Sequence, residues 1–527
     1  MWQYSNYSKI NPEVKKNFPF KNPRPDQLET VSEIVEAIDK GYKYIVLEAG
    51  TGTGKSAIAA TLSSLYDSSY IMTVTKQLQD QYIDDFTNMA LVKGRRNFRC
   101  RKDLNLKCDE GKCMLESGGC ENPKTDCDYY IQKYKALNSK TVISNYHYMF
   151  LELNYVGDFK NRQLLICDEA HNLENIFMSQ LKLEFSIEDL KTYLKFEVDN
   201  EILYAIDNGD YDVWLQFIQD VRDRYLKELD KIKNLNKIHL LEKINFIKKQ
   251  INDCNRFIEN IAYDPYSWVF DYNRDYEIIE FKPLKIDSYA ENTLFRYGDT
   301  CIFMSATILD YKFFSKCLGI SEDEIYPIRR ESPFDLSRNQ IKTLKEYNMS
   351  HNTIKKNASK TIDVVDSILN QHADEKGIIH TVSASCKDYL MDNLDTSRLI
   401  EHNTQNRSRQ LEKFKNSSQP LVLVSPSMNE GVDLPGNLCS FQIIYKLPYP
   451  DLADKQIRLR ANADNDWYNY KTALSLVQTY GRGMRYEDDS CVTYLIDSRI
   501  KDFINEDKFL PESFKYNIKH NTFDDKA

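Results

Sequence analysis

The sequence predicts an α/β protein with two tandem parallel-sheet domains, and three observations carry that prediction. Short continuous apolar runs recur along the chain, helical patterns lie between them, and the runs fall into two sets. The first set is Tyr44 to Leu47, Tyr70 to Val74, Leu164 to Cys167 and Cys301 to Met304. The second is Gly377 to His380, Leu421 to Val424, Phe441 to Tyr445 and Cys491 to Ile496. Strands that are apolar throughout are buried on both faces, as in a parallel sheet. Helical patterns such as Ala57 to Tyr66 and Trp467 to Tyr480 alternate with them, which gives an α/β architecture. The stretch around Pro327 and Pro333 separates the two sets.

Composition narrows the class. Hydrophobic residues make up 42% and charged residues 28% of the 527, the balance of a globular protein. The apolar runs are too short to span a bilayer, and the N-terminal residues lack the layout of a secretion signal. The expectation is therefore an intracellular protein, cytoplasmic or nucleoid-associated, with no membrane partner. Lys plus Arg total 70 against 79 Asp plus Glu, a net charge of -9. This excludes a uniformly basic coat but leaves room for a local basic groove.

Two segments break the α/β rhythm. Five of the twelve cysteines, Cys100, Cys108, Cys113, Cys120 and Cys127, crowd into one stretch, which reads as a metal or redox site before it reads as disulfides. The other segment, 186–261, is helical in pattern. Between Lys231 and Gln250, Ile232, Leu235, Ile238, Leu241, Ile244 and Ile247 recur every third residue, predicting one helical face that drifts around the axis. That part carries six lysines and one acid, ordinarily a solvated face.

The most specific local signal is Ala49-Gly50-Thr51-Gly52-Thr53-Gly54-Lys55-Ser56, placed directly after a strand and before a helix. Glycines there let backbone N–H groups turn towards phosphates, and the helix N-terminus adds positive potential. Lys55 would reach the β- and γ-phosphates of ATP, and Ser56 would bind Mg²⁺. Ala49 stands where a first glycine is usual. The partner signal is Leu164-Leu165-Ile166-Cys167-Asp168-Glu169-Ala170-His171, which delivers two carboxylates at a strand's C-terminal end. Asp168 is expected to hold Mg²⁺ and Glu169 to polarise the attacking water. His171, beside Glu169, is expected to sense nucleotide state.

These residues resemble the superfamily 2 DEAH-type helicases related to XPD and DinG. In that resemblance Arg24-Pro25-Asp26-Gln27 is similar to the adenine-reading element, with Gln27 on the base. Thr73 to Gln77 is similar to a segment touching the DNA backbone, and Met304-Ser305-Ala306-Thr307 to the element coupling hydrolysis to motion. In the second domain, Val424 to Gly436, which includes Asp433 at the nucleotide, resembles the fifth motif. Lys446-Leu447-Pro448-Tyr449-Pro450 follows it, and Gln478 to Arg485 resembles the sixth. Arginines three apart on a helix share a face. Arg482 and Arg485, with Gln478, are therefore expected to close on the γ-phosphate from the second domain.

The resemblance also implies an iron–sulfur domain where the cysteines crowd. Four thiolates are what a 4Fe-4S cluster needs. The expected set is Cys100, Cys113, Cys120 and Cys127 with Cys108 spare; a set using Cys108 instead of Cys113 is the alternative. Tetrahedral Zn²⁺ is the alternative metal. Lys93, Arg95, Arg96, Arg99, Arg101, Lys102 and Lys107 lead into the cluster, with Phe98 among them and Tyr129 and Tyr130 beyond. Basic residues interleaved with aromatics suit single-stranded nucleic acid, and aromatics there also suit the packing of a small metal-centred core; both roles are expected, with the arginines facing DNA.

The expected layout is a first RecA-like motor domain in three parts, 1–93, 141–185 and 262–327, holding an iron–sulfur insert at 94–140 and a helical arch at 186–261. A second motor domain follows at 328–527. The resemblance implies an ATP-dependent DNA helicase, a monomeric motor that moves 5′ to 3′ on single-stranded DNA and unwinds duplex or forked DNA. An RNA-remodelling ATPase, or an ATPase that binds nucleic acid without unwinding it, is the alternative.

Overall fold

The computed structural model describes residues 7–114, 122–233, 240–334, 338–350, 353–403, 405–426, 434, 436–483 and 488–520. Two parallel sheets dominate it, as the sequence predicts. From edge to edge the first holds the strands Ile325–Arg330, Tyr44–Ala49, Gly298–Ser305, Arg162–Asp168, Ser69–Thr73, Thr141–Asn145 and Ala90–Leu91. Every pairing in it is parallel. Tyr44–Ala49 is buried at all six positions, which is why its sequence shows no alternation. The sheet takes in Ile325–Arg330, three residues past position 327.

Register decides which residues meet at the C-terminal edge. Glu48 lies opposite Ser305 and Arg329, and Met304 lies opposite Asp168. The phosphate-loop candidate, the Asp168-Glu169 pair and the Ser305-Ala306-Thr307 segment therefore leave the sheet on one side, where open α/β sheets bind ligands.

The second sheet runs Asn339–Tyr347, Cys491–Asp497, Phe441–Ile444, Gly377–His380, Val422–Ser425 and Leu399–Glu401, again all parallel. Between the two sheets in the chain lies a three-stranded antiparallel sheet of Leu183–Ser186, Ile278–Pro283 and Trp268–Asn273. Its hairpin was not expected from the sequence. Trp268, Phe270 and Phe281 on it are buried against helical residues such as Phe217 and Phe257.

The single helical face expected over 231–250 is corrected. Two helices, Tyr211–Lys233 and Leu241–Tyr263, meet there and pack against each other. Ile232 ends one buried stripe and Leu241, Ile244 and Ile247 begin the other, while Leu235 and Ile238 lie outside the described residues. A strict three-residue step cannot keep one face of a 3.6-residue helix in contact for long. The stripe of the second helix accordingly shifts to four-residue steps, at Ile247 to Ile251 and Phe257 to Ile261.

The cysteine-rich stretch carries a two-stranded hairpin, Arg99–Cys100 with Asp103–Lys107, and the helix Asp128–Leu137. That helix is fastened to the first motor domain by a buried ion cluster. Lys133 Nζ donates to both carboxylate oxygens of Glu152, at 2.8 and 2.7 Å, and lies 2.6 Å from Asp158. Tyr129 donates to Glu152 at 3.2 Å and its hydroxyl lies 3.1 Å from that of Tyr148. Among the described residues no helix is long and apolar enough to cross a membrane.

Removing one partner of a buried pair strands the other, at a cost of about 3–5 kcal/mol. Glu152→Ala leaves the Lys133 ammonium with Asp158, which is itself half exposed. The variant should therefore lose stability near the lower end of that range. Urea denaturation followed by circular dichroism checks this; an unshifted midpoint would show the cluster to be dispensable.

Candidate active site

The strand Tyr44–Ala49 turns at Gly50 and enters the helix Lys55–Leu65, so residues 50–54 must make a tight loop between two buried elements. Gly52 and Gly54 have φ of +87° and +76°, a region that suits glycine. Packing adds a second demand. A Cβ on Gly52 would sit 2.3 Å from the Phe334 ring, and one on Gly54 2.2 Å from Gln27 Nε2. Lys55 Nζ donates to the carbonyl of Ala49 at 3.0 Å, so the lysine already curls over the loop.

Gln27 is buried, and its Nε2 donates to the Thr53 carbonyl at 2.9 Å. Its Oε1 accepts from the Arg24 backbone at 2.7 Å, and Arg24 Nη1 donates to the Gly52 carbonyl at 2.6 Å. The segment expected to read the base is thus fixed to the phosphate loop. On the loop's other side runs the linker to the second domain. Gly50 N donates to the Arg330 carbonyl, Ser332 Oγ donates to the Thr51 carbonyl at 2.8 Å, and Phe334 meets Gly52. Ser332 and Phe334 were not singled out from the sequence, where the stretch around Pro327 and Pro333 shows only as a separation between the two sets of strands.

Asp168 ends its strand almost fully buried, and Glu169 turns away with φ of +52°. Burial and the neighbouring Glu169 push the Asp168 carboxyl up to about 6, against the pull of Lys55. Three donors hold that residue. Glu169 N donates to Oδ1 at 3.0 Å, Tyr82 Oη to Oδ2 at 3.0 Å, and Tyr146 Oη to the main-chain carbonyl at 2.8 Å. Ser56 is near enough to lower the pKa of the Tyr82 hydroxyl against the effect of burial. One buried hydroxyl therefore donates to Asp168 and lies close to Ser56, the two residues expected at Mg²⁺. Tyr82 was not singled out from the sequence, because a tyrosine on an amphipathic helix reads as core.

His171 Nδ1 lies 2.8 Å from Ser305 Oγ and 3.3 Å from Glu169 Oε2. Burial lowers its pKa to about 4; Glu169 opposes this, and Arg482, Lys471 and Lys55 add to it, so the ring is neutral at pH 7. Arg482 comes from the second domain, just past the helix Asn465–Tyr480. Its charge acts on His171 of the first domain and on His380 of the second. Gln478 sits half-buried on the last turn of that helix. Arg485 and Asp433 lie outside the described residues.

In the cysteine insert, Cys108 Sγ is 3.5 Å from Cys127 Sγ, and both residues are buried. A Cβ on Gly111 would lie 3.2 Å from Cys100 Sγ and 3.5 Å from Cys113 Sγ. Cys108, read from the sequence as the spare thiol, thus stands within the group, and Cys120 lies outside the described residues. Among the described residues no three His, Cys, Asp or Glu side chains form a ready metal shell. The donor chemistry nevertheless suits a thiolate-bound metal, with two cysteine pairs brought to one small domain.

The insert's arginines were expected to face DNA, but Arg95 instead packs within the insert. The Arg95 guanidinium lies 4.9 Å from the Tyr129 ring centre and 5.2 Å from that of Tyr130, and donates to the Tyr130 hydroxyl at 2.7 Å. Tyr129 is buried with Phe98 at its edge. These aromatics form the insert's own core, and Arg95 is spent on them. Arg96 and Arg101 are exposed but paired with Asp109 and Asp128, whereas Arg99, Lys102 and Lys107 remain on the surface.

Comparison with known proteins agrees with this geometry. Residues 20–197 match the family described as the type III restriction enzyme res subunit, and residues 372–515 the helicase C-terminal domain. The chain is 24% identical to the ATP-dependent DNA helicase YoaA of Haemophilus influenzae, covering 94% of each, and 23% identical to YoaA of Escherichia coli, covering 93% of each. An XPD helicase structure superposes with a TM-score of 0.65 at 15% identity, covering 96% of this chain and all of the other. The Xpd4 structure of S. tokodaii gives 0.59, covering 95% of this chain and all of the other.

Tyr82→Phe removes only the hydroxyl that donates to Asp168 beside Ser56. One hydrogen bond to a charged group contributes about 1.5–3 kcal/mol. The Mg²⁺ or Mn²⁺ concentration for half-maximal ATP hydrolysis should therefore rise about tenfold or more, with the fold intact. Metal titration of the activity, and of Mn²⁺ binding by electron paramagnetic resonance, tests this. An unchanged midpoint in both would remove Tyr82 from the site.

Proposed function

Since the chain is an XPD/DinG-like superfamily 2 ATP-dependent helicase, we propose that it moves 5′ to 3′ along single-stranded DNA and separates duplex or forked DNA ahead of it. The observation that carries this reading is the meeting of two domains at one catalytic edge. Lys55, Asp168 and Glu169 leave the first sheet together, and Arg482 of the second domain is near enough for its charge to act on His171. We assign the choice of DNA over RNA from the relatives named as DNA helicases; an RNA-remodelling role is the second reading. Such a protein works inside the cell, as a monomeric motor.

In this mechanism Lys55 and the loop amides hold the β- and γ-phosphates, and Gln27 and Arg24 face the base. Ser56 and Asp168 would hold Mg²⁺, which would supply charge neutralisation at the phosphates. Glu169 takes a proton from the attacking water as its oxygen bonds to the γ-phosphorus and the bond to ADP breaks. His171, neutral, passes the position of Glu169 to Ser305 through its ring nitrogen. Arg482, with Gln478 and Arg485, closes from the second domain on the charge that develops, an effect of about 10³ to 10⁵ in rate in other phosphoryl-transfer enzymes.

The insert is assigned a 4Fe-4S cluster that stiffens it as the strand-separating edge. Cys100, Cys120 and Cys127 are common to the two sets considered. For the fourth thiolate, the contact of Cys108 with Cys127 favours Cys108 over Cys113. The same contact keeps zinc in view. A tetrahedral site with bonds of about 2.3 Å has sulfurs about 3.8 Å apart, close to the observed 3.5 Å.

Lys55→Ala should abolish ATP hydrolysis, since the phosphates lose their charge partner. Unwinding of matched DNA and RNA duplexes carrying 5′ or 3′ tails should succeed only on DNA with a 5′ tail; a preference for RNA or for the 3′ tail would replace the reading. Iron and zinc content of anaerobically purified protein identifies the metal. Cys108→Ser should empty the site, and full metal retention would return the fourth position to Cys113.

A further inference from the structure

The helix that carries the second domain's arginine is pinned to the first domain well away from the phosphates. Glu174 stands three residues past His171, in the first turn of the helix Leu173–Leu181, and is 7% exposed. Its carboxylate meets three side chains of the second domain. The Arg460 guanidinium pairs with Oε1, Trp467 Nε1 donates to Oε1 at 3.0 Å, and Lys471 Nζ lies 3.4 Å from Oε2. Arg460 is 3% exposed and stacks 4.3 Å over the Trp467 ring. Lys471 also reaches Asn175 Oδ1 at 3.2 Å. One residue along, Tyr470 Oη donates to the Ile308 carbonyl at 2.9 Å, just past Ser305-Ala306-Thr307. Burial opposes ionisation of Glu174, yet Lys471, Arg460 and the Trp467 hydrogen bond hold its pKa below the ordinary value.

Such a group is poorly explained as a stabiliser. Buried ion pairs contribute little net stability, because desolvation offsets the attraction, but they are exacting about geometry. Here the geometry matters, because Trp467 and Lys471 lie on the helix Asn465–Tyr480 that ends at Arg482. Eleven residues, about three helical turns, separate Lys471 from Arg482. Fixing the start of this helix against Glu174 fixes where its far end points. Glu174 itself follows directly on the segment that carries Glu169 and His171.

We propose that Glu174 is the positioning residue for Arg482: it locks the helix 465–480 to the Asp168–His171 segment, so that the arginine reaches the nucleotide only when the two domains are in this arrangement. This rests on the catalytic assignment above and adds to it a residue that touches no substrate.

The experiment is a double-mutant cycle of Glu174→Gln and Arg482→Lys, read as single-strand-stimulated ATP hydrolysis together with the affinity for a fluorescent ATP analogue. Glu174→Gln should lower kcat about tenfold or more while analogue affinity stays within about twofold, and the double variant should be little slower than Arg482→Lys alone. Losses that multiply, an unchanged kcat, or an equal loss of nucleotide affinity would overturn the proposal. Trp467→Phe removes one hydrogen bond and leaves both cations paired, so it applies the same criteria if Glu174→Gln does not fold. Wild-type protein without DNA-stimulated hydrolysis would instead remove the underlying reading.

Discussion

The first motor domain is organised by the crowding around one short loop. Residues 50–54 join a fully buried strand to a helix, and two separate parts of the chain press on them. Gln27 and Arg24 hold the carbonyls of Gly52 and Thr53 from one side, while Ser332 and Phe334 hold Thr51 and Gly52 from the other. A loop gripped mainly at its carbonyls keeps its shape while spending few of the amide hydrogens that a phosphate needs, those of Gly50 and Thr53 on the Arg330 and Gly50 carbonyls. Phe334 also lies between Ile325–Arg330, a strand of the first sheet, and Asn339–Tyr347, a strand of the second. The linker is therefore part of the nucleotide site as well as a tether.

The same economy governs the neighbouring turn. Glu48, one residue before the loop, is buried and accepts from the backbone of Ile308 and Leu309 at 2.6 and 2.5 Å. Leu309 takes φ of +67°, a costly choice for a branched side chain, and the bonds to Glu48 hold it there. Arg329 pairs with the other oxygen of Glu48 at 2.9 Å, so the charge is not left bare. Tyr470 of the second domain takes the carbonyl of Ile308. A shift in the phosphate loop thus has a continuous path of hydrogen bonds into the second domain.

Much of this was legible in the sequence because it depends on local pattern. Every apolar run named as a strand is one, and the glycine loop and the Asp168-Glu169 pair fall at strand ends. What was not legible depends on residues far apart in the chain. Tyr82 meets Asp168 across 86 positions and Trp467 meets Glu174 across 293, and neither contact leaves a local signature. The place of Arg95 was illegible for a related cause: a basic run beside aromatics reads alike whether the rings lie on a surface or in a core. Only burial separates the two, and Tyr129 is buried. The single helical face over 231–250 came from reading a three-residue step across the end of one helix and the start of another.

A single short helix joins the nucleotide edge to the cysteine insert. In Tyr146–Leu151, Tyr146 donates to the Asp168 carbonyl, and two residues on Tyr148 meets the hydroxyl of Tyr129. Tyr129 in turn stands two residues beyond Cys127 and under Arg95. Residues two apart point to different sides of a helix, so this one reaches both neighbours at once. Glu152, immediately after it, completes the buried cluster with Lys133. The insert is consequently no loose appendage. Its metal-site candidates and the carboxylate expected at Mg²⁺ share one rigid support, and a strain at either end is felt at the other because buried hydrogen bonds in a packed core do not stretch freely.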